Sequence, residues 1–158
     1  MSRNEAFREG SDTRPTAHIF DMDGTLADIS SIRHYVEGPK TDFHRFHEES
    51  VNVPPHDHVV DMARKAQEEG HKVLIVTARS TKYRPHTAYW LADHQVPSDA
   101  MYMRRQGDQR PDYEVKKDIL SRISSQFRVV HAVDDNPNVL KLWHENGIPT
   151  TRVPGWPE

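Results

Sequence analysis

Short apolar runs alternate with stretches of helical periodicity along most of this chain, and few architectures accept that pattern. "AHIFDMD" (17–23), "KVLIVTAR" (72–79), "AMYM" (100–103), "RVVHAVDD" (128–135) and "TTRV" (150–153) read as strands. Between them, "HDHVVDMARKAQEEG" (56–70) places Val59, Val60, Ala63 and Ala66 on one helical face and stops at Gly70. "HTAYWLADHQ", "DYEVKKDILSRI" and "NPNVLKLWHENG", the last with Pro137 near its first turn, read as helices too. Trp90, Phe127 and Trp143 fall in these elements and are assigned to the core. Strands apolar throughout, separated by helices, predict an α/β fold: a three-layer arrangement with a parallel sheet covered on both faces. Ligands of such sheets bind beyond the carboxyl ends of the strands. Three of those ends carry chemistry: Asp21 and Asp23, Thr77 and Arg79, and Asp134 and Asp135.

At 158 residues the chain suits a single domain that buries about two thirds of its unfolded surface. Residues 1–15 lack an apolar period and are expected as a flexible tail, which leaves 16–158 as the domain. Within it, residues 28–55 are interrupted by Gly38-Pro39 and Pro54-Pro55 and read as an inserted flap or small cap. With no cysteine, thiolate metal sites and cysteine nucleophiles are excluded, so a metal must be held by oxygen or imidazole. The polar N-terminus and the absence of a run near the roughly 18 apolar residues of a membrane span predict a soluble, cytoplasmic protein with no membrane partner. A net charge of -3 argues against a broad basic face that coats nucleic acid.

The acids after the first strand invite comparison with a calcium loop. An EF-hand starting at Asp21 requires an acid or amide, a glycine and a glutamate where the sequence has Thr25, Leu26 and Ile32, so that reading fails. Strand alternation puts Asp21 and Asp23 on one side, where two carboxylates repel unless a cation lies between them. Asp134 or Asp135 from another strand end completes an all-oxygen site suited to Mg²⁺ shared with a substrate phosphate. Lys116 or Lys117 can supply the further positive charge that an aspartate needs to attack a phosphate.

"DMDGT", "VTAR", a helical lysine and "VDDNP", in this order, resemble the haloacid dehalogenase (HAD) superfamily of phosphatases, whose fold is a Rossmann-like sheet. The resemblance implies that Asp21 is the nucleophile and Asp23 the acid and then the base. It also implies that Thr77 hydrogen-bonds the transferring phosphoryl group and Lys116 steadies its charge. A Mg²⁺ ion would be held by the Asp21 carboxylate, the Asp23 carbonyl and the pair Asp134/Asp135, with relatives that carry Asp-Asn there pointing to Asp135 as the direct ligand.

The segment "RRQGDQRPDYEVKKDIL" (104–120) narrows this further, because it resembles the 3′-phosphatase domains of phage polynucleotide kinase-phosphatases. That likeness selects Lys116 over Lys117, makes Arg79 a phosphate contact, gives Asp112 a supporting role toward the lysine or a basic groove, and points to Arg33 as the flap arginine. Arg104, Arg105 and Arg110 would contact a nucleic-acid backbone, with Tyr102 available to stack a base. His44, His47, His56 and His58 do not follow a zinc spacing and read as a solvated face. No GxxxxGK[ST] is present, so a free-standing phosphatase is expected, with a separate kinase or ligase as partner. The implied activity is Mg²⁺-dependent removal of a 3′-terminal phosphate from DNA or RNA, extending to 2′,3′-cyclic phosphates. The alternative is a small-molecule phosphatase such as a nucleotidase. A non-catalytic binding module would have no use for converging carboxylates.

Overall fold

The run at 73–76 is buried on both sides, an environment that a strand meets only between two helical layers. The structure, a computed structural model, describes residues 12–154. Its strands are β1 (Thr16–Phe20), β2 (Lys72–Ser80), β3 (Ala100–Arg104), β4 (Arg128–Asp134) and β5 (Thr150–Arg152). Its α-helices are α1 (Phe43–Glu49), α2 (Asp57–Glu68), α3 (Arg84–Asp93), α4 (Asp112–Ile123) and α5 (Pro137–Glu145). The strands are parallel, in the order β3-β2-β1-β4-β5, which is the α/β architecture that the alternation predicts.

Period-two alternation sorts side chains into the two layers. Phe20, Val73, Ile75 and Val133 join Val59, Val60, Ala63 and Ala66 of α2 and Trp90 of α3. Ala17, Ile19, Leu74, Val76 and Ala132 face the other way, toward Val115 and Ile119 of α4 and Trp143 of α5. Trp90 and Trp143 are fully buried and Phe127 packs at the edge of the second core.

Three helices end in the same hydrogen-bonded device. After α2, Gly70 N donates to Gln67 O and His71 N to Ala66 O, a Schellman motif with Gly70 at φ +91°. After α5, Gly147 and Ile148 repeat it, and Ile148 shares a core with Trp143. After α3 the left-handed position is taken by Gln95 at φ +54°, whose N–H donates to Ala92 O while Val96 N donates to Leu91 O.

The inserted segment leaves and rejoins the sheet at a closed neck, where Asp28 N donates to Pro54 O and His56 N to Leu26 O, both at 2.8 Å. Ile29, Ile32, Phe46 and Val53 carry it into the core of α2 and α3. Of the segment expected as a tail, residues 1–11 lie outside the described residues. Residues 12–15 are tied down: Arg14 Nη1 donates to Ser124 O at 2.6 Å, and Pro15 O accepts from Arg128 N at 2.9 Å.

Candidate active site

Asp21 follows the last residue of β1, yet its N–H still donates to Val133 O at 3.1 Å, so the sheet fixes its position. The chain then turns at Gly24, whose φ of +81° admits few residues with a side chain. The turn folds Thr25 back onto the acid: its Oγ1 donates to Asp21 Oδ2 at 2.9 Å and lies 3.3 Å from Asp135 Oδ1. Across the sheet end, Lys116 of α4 reaches Asp21 Oδ1 at 3.0 Å and Asp134 Oδ2 at 2.7 Å. A lysine 2% exposed is tolerable only when paired. Burial pushes its pKa down, but the charges of Asp134 and Asp21 outweigh burial and hold it above the usual lysine range. Asp134 Oδ1 accepts from the backbone N–H groups of Asp135 and Asn136 at 2.9 and 3.0 Å.

Two carboxylates, Asp21 and Asp134, thus share one ammonium group, and carboxylate oxygens of Asp21, Asp134 and Asp135 lie within 4.8 Å of one another. Burial and then the charge of Asp21 push Asp134 up to about 6 against the pull of Lys116. Asp135 is pushed up to about 10 by burial, by the charge and hydrogen bonding of Asp21, and by Asp134. Its Oδ2 is buried without a hydrogen-bond partner. An all-oxygen donor set with excess negative charge and an unsatisfied acceptor fits a hard divalent cation such as Mg²⁺.

Asp23, two residues on, faces β2. Arg79 grips it with both oxygens engaged, Nη2 to Oδ1 at 2.6 Å and Nε to Oδ2 at 3.1 Å, while Nη1 donates to Thr87 Oγ1 at 2.9 Å. Burial raises the Asp23 pKa, but the charge and hydrogen bonds of Arg79 prevail and hold it below the ordinary carboxylate range. Thr77 is buried at the same strand end, its Oγ1 accepting from Arg79 N at 3.1 Å and its own proton available to a ligand. Asp21, Asp23, Thr77, Arg79, Lys116, Asp134 and Asp135 all line one cavity of about 990 Å³. The sheet therefore brings together the three strand ends singled out in the sequence.

Residues 15–155 match the family described as the polynucleotide kinase PNKP phosphatase domain. The chain belongs to this family. As a PNKP phosphatase domain it is a phosphoric monoester hydrolase of the HAD type. Among solved structures, it is similar to a chain of the Pnkp1/Rnl/Hen1 complex, also described as an RNA repair complex. That match has 27% identity and a TM-score of 0.79 over 90% of this chain and 47% of the other. The PNKP phosphatase domain thus spans less than half of that relative. The class C acid phosphatase from Bacillus anthracis, solved with tungstate bound, shares the fold at 12% identity and a TM-score of 0.68, over 98% of this chain and 73% of its own.

Other residues singled out in the PNKP phosphatase domain sit differently from expectation. Arg104 lines the cavity, but its guanidinium is occupied by Ala78 O, Asp108 O, Arg110 O and, at 2.8 Å, Asp112 Oδ1. It braces the 105–111 loop, and Asp112 supports this cavity-lining arginine, the basic-groove alternative of its expected role. Arg110 also lines the cavity and pairs with Asp108 and Asp118. Arg105 is exposed and outside the lining. Arg33 lies outside it as well, in the 3₁₀ turn Arg33–Val36, 3.8 Å from Glu37. Tyr102 packs on the second core with Arg122 5.9 Å over its ring, which withdraws it from the cavity.

The histidine cluster is only partly the solvated face expected. His44 and His58 are exposed, but His56 Nδ1 bonds Thr25 O at 2.8 Å and His47 stacks on Tyr83 at 4.2 Å within the cavity lining. The sequence reading missed His47 and Thr25. Thr25 had a signal, its place in "DMDGT" one turn beyond Asp21, whereas His47 had none that distinguished it from its neighbours.

Proposed function

We propose that this domain removes the terminal phosphate from nucleic-acid 3′ ends through a phosphoryl group carried on Asp21. The observation that carries this reading is the fixing of Asp21 by Val133 O, Thr25 and Lys116 at the mouth of an open cavity, beside acids that suit a cation. Membership of the PNKP phosphatase family supports a polynucleotide substrate, and the likeness to a chain of an RNA repair complex supports a kinase or ligase as partner.

In this reading an oxygen of Asp21 attacks phosphorus, the bond from phosphorus to the sugar oxygen breaks, and that oxygen takes a proton from Asp23. Asp23 then takes a proton from the water that displaces Asp21, releasing inorganic phosphate. Thr77 and Lys116 hydrogen-bond the phosphoryl group, and Arg79 contacts it. The arriving phosphate competes with Asp23 for Arg79. Once the guanidinium is drawn away, burial favours the protonated acid that the first step requires. Asp21, the Asp23 carbonyl and Asp135, with Asp134 beside it, would hold a Mg²⁺ ion, which would supply the charge neutralisation a phosphate needs to enter an acidic site.

Rapid acid quenching of a reaction with a 3′-³²P-phosphorylated oligonucleotide tests this directly. The expected result is label on the peptide containing Asp21, absent from Asp21→Asn and absent after chelation with EDTA. Label on another residue, or full turnover by Asp21→Asn, would contradict it.

A further inference from the structure

We propose that the exposed ring of Phe43 receives the nucleobase of the 3′-terminal nucleotide, an assignment that rests on the 3′-phosphatase reading above. Phe43, Tyr89 and Tyr113 are the exposed large hydrophobic residues among those described, and of these Phe43 alone lines the cavity. It is 59% exposed, while Phe46, on the same helix, is 4% exposed and anchored in the core of α2 and α3.

Helix α1 is held in this orientation from several sides. Asp42 caps it by accepting from Arg45 N at 3.0 Å, Asp42 N donates to Tyr35 O at 2.6 Å, and the Arg45 guanidinium lies 5.2 Å from the Tyr35 ring centre. With Phe46 fixed, the helix cannot roll to bury Phe43. One turn along the same face is His47, stacked on Tyr83 with an interplanar angle of 28°, and the Tyr83 hydroxyl bonds His44 Nδ1 at 2.9 Å. Val36, Phe43, Phe46, His47 and Tyr83 therefore form a rigid, largely apolar wall of the cavity.

Most of the remaining lining is polar or charged, and within it the acids, Thr77 and Lys116 make a phosphate end. A cavity with a phosphate end and an aromatic wall, of about 990 Å³, has the size of a small-ligand site and the two chemistries of a terminal nucleotide. A single stacking ring suits a protein that must accept any terminal base, because every base offers a π face and stacking is tolerant of sequence. Packing of Tyr102 against Arg122 leaves Phe43 to provide that ring.

The test is a cycle on the intact protein, combining Phe43→Ala with an oligonucleotide 3′-phosphate whose terminal residue is abasic. Removing the ring or the base alone is expected to raise KM about tenfold, within the range of one base–aromatic stack. Removing both should cost no more than either, because one contact is lost in each case, and Phe43→Trp should retain the parent KM. Losses that multiply, or a KM indifferent to the terminal base, would overturn the stack while leaving the 3′-phosphatase reading intact. Failure of the parent protein to hydrolyse any oligonucleotide 3′-phosphate would overturn both. Thermal melting of Phe43→Ala should match the parent, as expected for an exposed ring, and a large fall in Tm would instead assign Phe43 to the fold.

Discussion

Arg79 and Asp23 form a two-pronged ion pair across the end of the sheet, at 2.6 and 3.1 Å, with the arginine side chain 1% and the aspartate side chain 19% exposed. The pair has an energetic consequence that can be measured apart from catalysis. Arg79→Gln leaves the half-buried Asp23 without its cation and is expected to cost about 3 kcal/mol at neutral pH. Because the pair depresses the Asp23 pKa in the folded state, its stabilisation is present above the unfolded value of 3.8 and lost as pH falls through the folded one. Without Arg79, burial raises that pKa and the acid protonates earlier. Urea unfolding of parent and variant should therefore show a gap that narrows as pH falls from 7 toward 4.

Asp135 stands in the opposite situation. Its pKa in the folded domain is raised to about 10, so without metal its ionisation opposes folding progressively as pH rises above the unfolded value near 4. Asp135→Asn is expected to raise the Tm of the metal-free domain at pH 7 to 8. Mg²⁺ is expected to raise the Tm of the parent, and Asp135→Asn should abolish that rise. Thermal scans with EDTA and with Mg²⁺ check both.

Gln95 holds the left-handed position after α3 that Gly70 and Gly147 hold after α2 and α5. Gln95→Gly removes the clash of Cβ with the following carbonyl and should stabilise the domain by roughly 0.5–1 kcal/mol. It should leave activity unchanged, since Gln95 lies outside the active-site cavity.

At the far end of the sheet, the His18 ring lies 4.5 Å from that of His71 and 5.5 Å from that of His131. Burial, then the charges of His71 and His131, lower the His18 pKa from 6.5 to about 4, with Glu69 opposing. The unfolded chain therefore binds a proton at this position before the folded one does. The His18 contribution to stability should fall as pH drops from about 6.5 to about 4 and level off below. His18→Gln should flatten that part of the pH–Tm curve.

The features legible in the sequence are those set by local rules. Continuous apolar runs imply the parallel sheet, and the rule that ligands bind beyond carboxyl ends picks out Asp21, Thr77 and Asp134. The choice of Lys116 over Lys117 comes from the family likeness, and in the structure it is Lys116 of α4 that is buried and bonded to Asp21. The cap was not legible in detail. Phe43 and Phe46 are three residues apart in an irregular, charged segment, and only packing against α2 and α3 decides that one is anchored and the other presented. Arg104 illustrates the same limit: its bonds to Ala78, Asp108, Arg110 and Asp112, which brace the 105–111 loop, leave no local mark in the sequence.

Specificity for a 3′ end is tested most directly by a single substrate panel. The same oligonucleotide sequence is prepared as DNA and as RNA, with either a 3′- or a 5′-phosphate, and compared with free 3′-nucleotides and sugar phosphates under Mg²⁺. The expected result is a kcat/KM for oligonucleotide 3′-phosphates that exceeds that for every other substrate. Equal or faster turnover of 5′-phosphates, free nucleotides or sugar phosphates would contradict it.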